Sequence, residues 1–185
     1  RTDFIDLYYM HWPNSSKDLR PVMEALEHAR AKGKVLSIGV SNFSVEQMEQ
    51  IAGAGRIDAH QVCYNLYWRF PEEDVIPYCR ERDISVVTYS SIAQGVLTGK
   101  FPREPQFKEG DQRPHVVFFD PAVWPHLHDG VEELKKVSAG CGRSLTHLAI
   151  RWVMSRPGIV SVLVGARNGK QFQESVASLE GDIPQ

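Results

Sequence analysis

Five short segments of this chain, residues 4–10, 35–40, 60–63, 84–88 and 160–164, alternate with helical patterns. No other feature limits the fold so tightly. Most are rich in Val, Ile and Tyr and bounded by turn residues, which reads as strand; the segment 60–63 is short and polar at its start. Strands that alternate with helices imply parallel pairing and right-handed crossovers.

The helical stretches carry their own start and stop signals. Pro21 suits a first turn, Val22, Ala25, Leu26 and Ala29 share a face, and Gly33 ends the run. Ser44 with Gln47 makes a capping box for a second helix that ends near Gly53 or Gly55. Pro71, followed by three acids and later by Arg80 and Arg82, predicts a third helix matched to its dipole. Two stretches, 130–139 and 145–154, precede the last strand, and a final helix begins near Asn168.

Residues 94–128 form a long loop punctuated by prolines, of the kind that serves as a lid or binding loop over a site. Its Val116, Val117, Phe118, Phe119 and Trp124 either cover a substrate or anchor the loop. His115 reads as surface. His126 and His128 have a strand-like metal spacing, but Pro125 makes the stretch loop-like and no third ligand is apparent, so no metal is expected.

Two α/β architectures fit this order. A doubly wound sheet should show G-x-G-x-x-G after a strand, and no turn here does. A parallel (β/α)8 TIM barrel needs eight strands over ~250 residues, so the barrel reading requires about three βα units upstream. The chain opens on Arg1-Thr2-Asp3 and runs straight into apolar sequence, without initiator methionine or leader, as expected of a chain cut into an existing fold. Residues 1–185 read as a single domain.

Bulk properties exclude some functions. A net charge of -2 offers no basic surplus to neutralise nucleic acid phosphates. No apolar run approaches the ~20 residues of a membrane span. Cys63, Cys79 and Cys141 lack metal spacing and suit reduced thiols in a cytoplasmic protein.

Each strand ends in polar or aromatic residues. These are His11-Trp12-Pro13, Ser41-Asn42-Phe43, Gln61 leading to Tyr64-Asn65, Tyr89-Ser90-Ser91, and Gly165-Ala166-Arg167. In parallel βα folds such positions share the C-terminal face, where ligand and catalytic groups collect.

Those ends carry a family resemblance. Asp6-Leu7-Tyr8 running to His11-Trp12-Pro13 is similar to the fourth barrel strand of aldo-keto reductases, and Gly39-Val40-Ser41-Asn42-Phe43 resembles their fifth-strand signature. Gln61-Val62-Cys63-Tyr64-Asn65, then Tyr89 through Lys100, resemble the next two units. Gly165 through Gln171, with Glu174, is similar to the adenosine-phosphate end. Five motifs in order cover nearly the whole chain. It is identified as the C-terminal portion of such a barrel, strands four to eight, an incomplete barrel with about five βα units.

The resemblance implies hydride transfer from NADPH to the carbonyl of a small aldehyde or ketone, with a proton delivered to the oxygen. It makes His11 the catalytic histidine that orients the carbonyl, and Trp12 a wall of the substrate pocket. The family's donor tyrosine, with its aspartate and lysine, belongs to earlier strands; Tyr8 and Tyr9 do not match it. Ser41, Asn42 and Gln61 resemble the trio that hydrogen-bonds the nicotinamide carboxamide, and Tyr89 the aromatic that stacks on its ring. Ser90, Ser91, Ile92, Gln94, Gly95 and Leu97 resemble the pyrophosphate cradle. Lys100 and Arg167 resemble partners of the 2′-phosphate, and Gly165 belongs to the same cofactor-binding motif. Gln171 and Glu174 resemble the adenine contacts; Ser175 stands where the family usually has Asn.

Three functions follow from these features. The first is a part of a catalytic reductase, inactive alone because the proton source is absent. The second is an NADPH-binding regulatory subunit resembling potassium-channel β-subunits, although those usually differ at the position of His11. The third is an incomplete barrel that self-associates through the exposed edges of its first and fifth strands.

Overall fold

All five expected segments form strands: β1 Ile5–Met10, β2 Val35–Ser41, β3 Ala59–Cys63, β4 Ser85–Tyr89 and β5 Ile159–Val162. They make one sheet in chain order, β1-β2-β3-β4-β5. The first three pairings are parallel, with Tyr9 opposite Gly39, Gly39 opposite Ala59 and Cys63 opposite Tyr89. A doubly wound sheet reverses its strand order at a switch point. This one never reverses, and helices follow every strand, which is the winding of a βα barrel. The computed structural model describes residues 2–181.

The helices are α1 Arg20–Ala31, α2 Val45–Ala52, α3 Val75–Glu81, α4 Trp124–Gly140, α5 Leu145–Met154 and α6 Gly169–Ala177. Gly33 ends α1 with φ 68°. Its N–H donates to Arg30 and that of Lys34 to Ala29, the paired bonds of a Schellman stop that a left-handed residue permits. The capping box of α2 forms as expected: the Gln47 N–H donates to Ser44 Oγ at 3.3 Å, and the Ser44 N–H to Gln47 Oε1 at 2.9 Å.

Two helices differ from expectation. The segment after Pro71 forms only a 3₁₀ turn, Phe70–Glu72, before α3 starts afresh at Val75 with Asp74 as its cap. Pro77 explains the break. In a helix running from Pro71 it would clash with the carbonyl four residues back, whereas in the first turn of α3 its missing N–H costs nothing. α4 begins at Trp124, ahead of the expected 130, so His126 and His128 are helical and not loop. Two residues apart on a helix, they point to different sides. The Trp124 indole donates to the Arg103 carbonyl at 2.8 Å, fixing that first turn, and Pro125 sits within it. Gly130 lies inside α4 because a Cβ there would stand 2.9 Å from the Tyr67 hydroxyl.

The chain divides into two compact units. One holds the chain as far as Cys63, with Arg69–Tyr89 and Pro157–Ser161; the other holds Tyr64–Trp68, Ser90–Arg156 and the chain from Val162 on. In the first unit Met23, Ile38, Met48, Ile51 and Val86 are fully buried. Each such side chain contributes roughly 1.5–3 kcal/mol, and this burial, not propensity, holds a helix as short as α2.

The second unit has its own core of Val96, Leu97, Phe118, Phe119, Trp124, Val131 and Leu145. Phe119 stacks on Trp124 with ring centroids 5.0 Å apart, and Phe101 and Phe107 meet Phe119 edge-on. The aromatic residues of the long loop are therefore core residues of this unit, while Val117 and His115 stay exposed. That loop carries 3₁₀ winding at Ala93–Thr98, Arg113–His115 and Val117–Phe119. No helix among the described residues is long and apolar enough to cross a membrane.

Candidate functional site

In the first unit the strand ends are tied together by one residue. Asn42 follows β2 with φ 63°, a left-handed conformation that Asn tolerates better than most residues. Its Nδ2 donates to the His11 carbonyl at 3.1 Å and to Ser41 Oγ at 3.0 Å. Its Oδ1 accepts from the Tyr89 hydroxyl at 2.7 Å. Ser41 Oγ donates in turn to the Gln61 carbonyl at 3.0 Å, and the Asn42 N–H reaches the same oxygen at 3.1 Å. The ends of β1, β2, β3 and β4 are thus joined by a closed set of hydrogen bonds. Burial, and then the neighbouring Cys63, raise the Tyr89 phenol above its ordinary range, so it remains a donor.

Beneath this knot lies His60, a residue that the strand pattern does not announce. It is fully buried in β3, and its Nε2 accepts the Phe43 N–H at 3.3 Å. An accepting Nε2 places the proton on Nδ1, which faces Cys79 Sγ at 3.8 Å. Burial holds this imidazole down to about 4 and pushes the Cys79 thiol up to about 12. His60 is therefore a neutral peg under the Ser41-Asn42-Phe43 turn. Its signal in the sequence was its place directly before Gln61.

The glycine of the Gly39-Val40-Ser41-Asn42-Phe43 run has a packing reason. A Cβ on Gly39 would lie 2.4 Å from Tyr9 Cε1, its cross-strand partner. The Tyr9 ring covers that gap, and burial raises its phenol above the ordinary range. His11 and Trp12 follow β1 with exposed side chains, ring centroids 6.0 Å apart. Tyr8 and Tyr9 lie within β1.

In the second unit the loop after β4 is wound left-handed at several points. Ser90, Ala93 and Gln94 have φ of 52°, 49° and 55°, and Gly95 has 94°. Conformations of this kind cost a non-glycine residue about 1–2 kcal/mol and collect at functional loops. Asn65, fully buried, holds the start of the loop by donating to the Ser90 carbonyl at 3.0 Å. The N–H groups of Ala93, Gly95 and Leu97 donate to carbonyls inside the loop, those of Ser90 and Ile92. Ser91 and Leu97 are buried, and Gln94 Nε2 donates to Ser90 Oγ at 2.8 Å.

Lys100 follows this loop and meets a partner that the motifs leave out. Its Nζ stands 5.0 Å from the Phe101 ring centroid, and the Arg113 guanidinium lies 5.1 Å from the same centroid. Burial, then repulsion from Arg113 and Arg167, lowers the Lys100 amine, with Asp111 opposing. Lys100, Arg113 and Arg167 thus form one cationic group. Its signal was an Arg in a loop with a paired Asp two residues before it.

Gly165, Arg167 and Gln171 are exposed. Gln171 Oε1 accepts the Arg167 N–H at 2.8 Å, bracing the turn before α6. The Glu174 carbonyl accepts from His147 Nε2 at 2.9 Å. Ser175 Oγ turns back to the Gln171 carbonyl at 3.0 Å, inside its own helix.

Chemically, the first unit offers amide, hydroxyl and imidazole groups at strand ends, and the second offers a strained loop and a group of cations of which Arg113 is held by Asp111. Nothing among the described residues groups three metal-ligating side chains.

Comparisons with known proteins agree with this layout. The sequence model of the Aldo/keto reductase family matches residues 1–185. Aldo-keto reductase YhdN of Bacillus subtilis (strain 168) is 36% identical over 182 residues, 98% of this chain and 55% of its own length. The NADH-specific methylglyoxal reductase of Escherichia coli (strain K12) is 29% identical over 180 residues, 96% of this chain and 55% of its own. Among solved structures, the glycerol dehydrogenase AKR11B4 from Gluconobacter oxydans is similar with a TM-score of 0.88 and 28% identity, over 99% of this chain and 55% of that one. The chain spans about half the length of the curated relatives it matches, and its five parallel strands and helices are part of a TIM barrel. By sequence model, relatives and fold together, the chain belongs to the aldo/keto reductase family.

Proposed function

We propose that this chain supplies the nicotinamide-coenzyme site, and one catalytic histidine, of an oxidoreductase that reduces aldehydes or ketones with NADPH. The observation that carries the reading is the hydrogen-bonded knot at Asn42, which gathers His11, Ser41, Gln61 and Tyr89. A coenzyme bound there would supply the hydride. The residues fit it: the Gln61 side chain offers a donor and an acceptor to a carboxamide, Asn42 Oδ1 keeps a second lone pair, and Ser41 holds Asn42 in place. Tyr89, braced by Asn42, presents a ring to stack on a planar ligand. Lys100, Arg113 and Arg167 provide the positive charge that favours the phosphorylated coenzyme over NADH. His11, with its carbonyl anchored, keeps its imidazole exposed to orient a carbonyl, and Trp12 walls the pocket.

Resemblance to the family gives the proton donor to strands preceding β1. The 185-residue chain by itself therefore binds coenzyme without turning it over. Its three cysteines, none of them in a disulfide, suit a reducing cytoplasm.

The test is NADPH oxidation followed by absorbance, with a panel of aldehydes, alongside coenzyme binding by fluorescence. Binding without oxidation by this chain is expected. A chain that binds no coenzyme refutes the coenzyme site, and one that oxidises NADPH with an aldehyde refutes the placement of the proton donor.

A further inference from the structure

Asp111 pairs with Arg113 inside the group that Arg113 forms with Lys100 and Arg167. It takes the Nε–Nη2 edge of Arg113: Nε donates to Oδ1 at 2.8 Å and to Oδ2 at 3.0 Å, and Nη2 donates to Oδ2 as well. The Arg113 N–H closes the turn on Oδ1 at 3.0 Å. The side chains of Asp111 and Arg113 are only 12% and 18% exposed. The guanidinium stands beside two rings, 5.1 Å from the Phe101 centroid and 5.3 Å from that of Phe107. Lys100 Nζ shares the Phe101 ring.

This arrangement is unbalanced. Three cations stand against one anion, and two of those cations lean on a single ring. Like charges so placed repel, and a half-buried carboxylate beside them relieves part of the cost. Bonds from Arg113, and the charges of Arg113 and Arg167, hold the Asp111 carboxyl far below its ordinary range, so it is ionised at any working pH. An ionised carboxylate that quiets the cations also opposes any other anion that approaches them.

We propose that Asp111 is a specificity-determining residue of the coenzyme site, an internal anion that restrains the grip of Lys100, Arg113 and Arg167 on a 2′-phosphate. This rests on the reading of that cationic group as the phosphate end of the site. Asp111 sets how strongly the protein separates a phosphorylated from an unphosphorylated adenosine, and keeps the phosphorylated form exchangeable. A loop staple with no such role would have the opposite signature, because removing it would free Arg113 from its place and weaken binding.

The sign of the effect decides the matter. Adenosine 2′,5′-bisphosphate and adenosine 5′-monophosphate are titrated calorimetrically into the native 185-residue chain and into Asp111→Asn, which keeps the turn-closing acceptor but removes the charge. The bisphosphate should bind about five-fold tighter to the variant, with the gain shrinking as salt is raised, while the monophosphate changes by less than about two-fold. Unchanged or weaker bisphosphate binding overturns the inference and leaves the coenzyme site standing. A native chain that does not distinguish the two adenosines overturns the site and the inference together. Asp111→Ser is the second variant; loss of secondary structure by circular dichroism in both would make Asp111 a fold residue and also overturn the inference.

Discussion

Acid should loosen this fold through His60. The imidazole is fully buried, its Nε2 accepts the Phe43 amide, and burial depresses it from 6.5 to about 4. An unfolded chain binds a proton here below 6.5, while the folded chain resists until about 4. Between those values the unfolded state holds more protons, so stability rises with pH and is lost as pH falls. Such a gap is worth roughly 3 kcal/mol in full, and most of it is lost by about pH 4.5.

The assay is urea unfolding by circular dichroism at about pH 7 and about pH 4.5, on the native chain and on His60→Gln. The glutamine can still accept the Phe43 amide but takes up no proton. At neutral pH it should cost about 1–3 kcal/mol in lost packing. Carboxylates titrate alike in both proteins, so the difference between their acid losses isolates His60. The native chain should lose about 2 kcal/mol more than His60→Gln across this range. Equal losses would show that His60 is not held neutral in the fold, and the account of the peg beneath the Asn42 turn would fail.

Other consequences follow from single contacts. Gly39→Ala should destabilise by about 1–3 kcal/mol in thermal melts, because the new Cβ meets the Tyr9 ring at 2.4 Å, and Tyr9→Leu in the same chain should recover part of the loss. Asn42→Gly keeps the left-handed turn but removes three hydrogen bonds, and should cost about 1–3 kcal/mol in urea unfolding, with Asn42→Ala costing more because it also adds backbone strain. Asp74→Ala should cost about 1 kcal/mol by removing the cap of α3. The strand order leaves β1 and β5 at the sheet edges, with Ile5, Tyr8 and Val160 exposed, so light scattering on the 185-residue chain should find concentration-dependent association; a monodisperse monomer would contradict this.

Much of this structure is legible in the sequence. Strand positions follow from short β-branched runs, and the stops at Gly33 and the caps at Ser44 and Asn168 follow from local chemistry. These are signals within a few residues of one another. The failures share a cause as well. Pro71 with three acids argues for one helix, but Pro77, six residues on, forbids it and moves the start to Asp74 and Val75. The early start of α4 depends on the Trp124 indole reaching Arg103, 21 residues away.

The site shows the same division. Its motif residues stand at strand ends, where the alternation alone points. His60 and Arg113 stayed hidden, because one acts through an amide 17 residues back and the other through a ring and a carboxylate in an irregular loop. Nor could sequence show that the Asn42 side chain is already engaged with His11, Ser41 and Tyr89, which makes it a brace for the strand ends as well as a candidate ligand contact.

The central claim is that residues 1–185 hold a site for a phosphorylated nicotinamide coenzyme. Its most direct test is a fluorescence titration of NADPH and NADH with the native chain and with Lys100→Gln/Arg167→Gln, each checked for an unchanged melting curve. The native chain should prefer NADPH, and the double variant should bind NADPH at least about ten-fold more weakly while NADH changes little. NADPH binding that is absent, or unaffected by removing both cations, would contradict the claim.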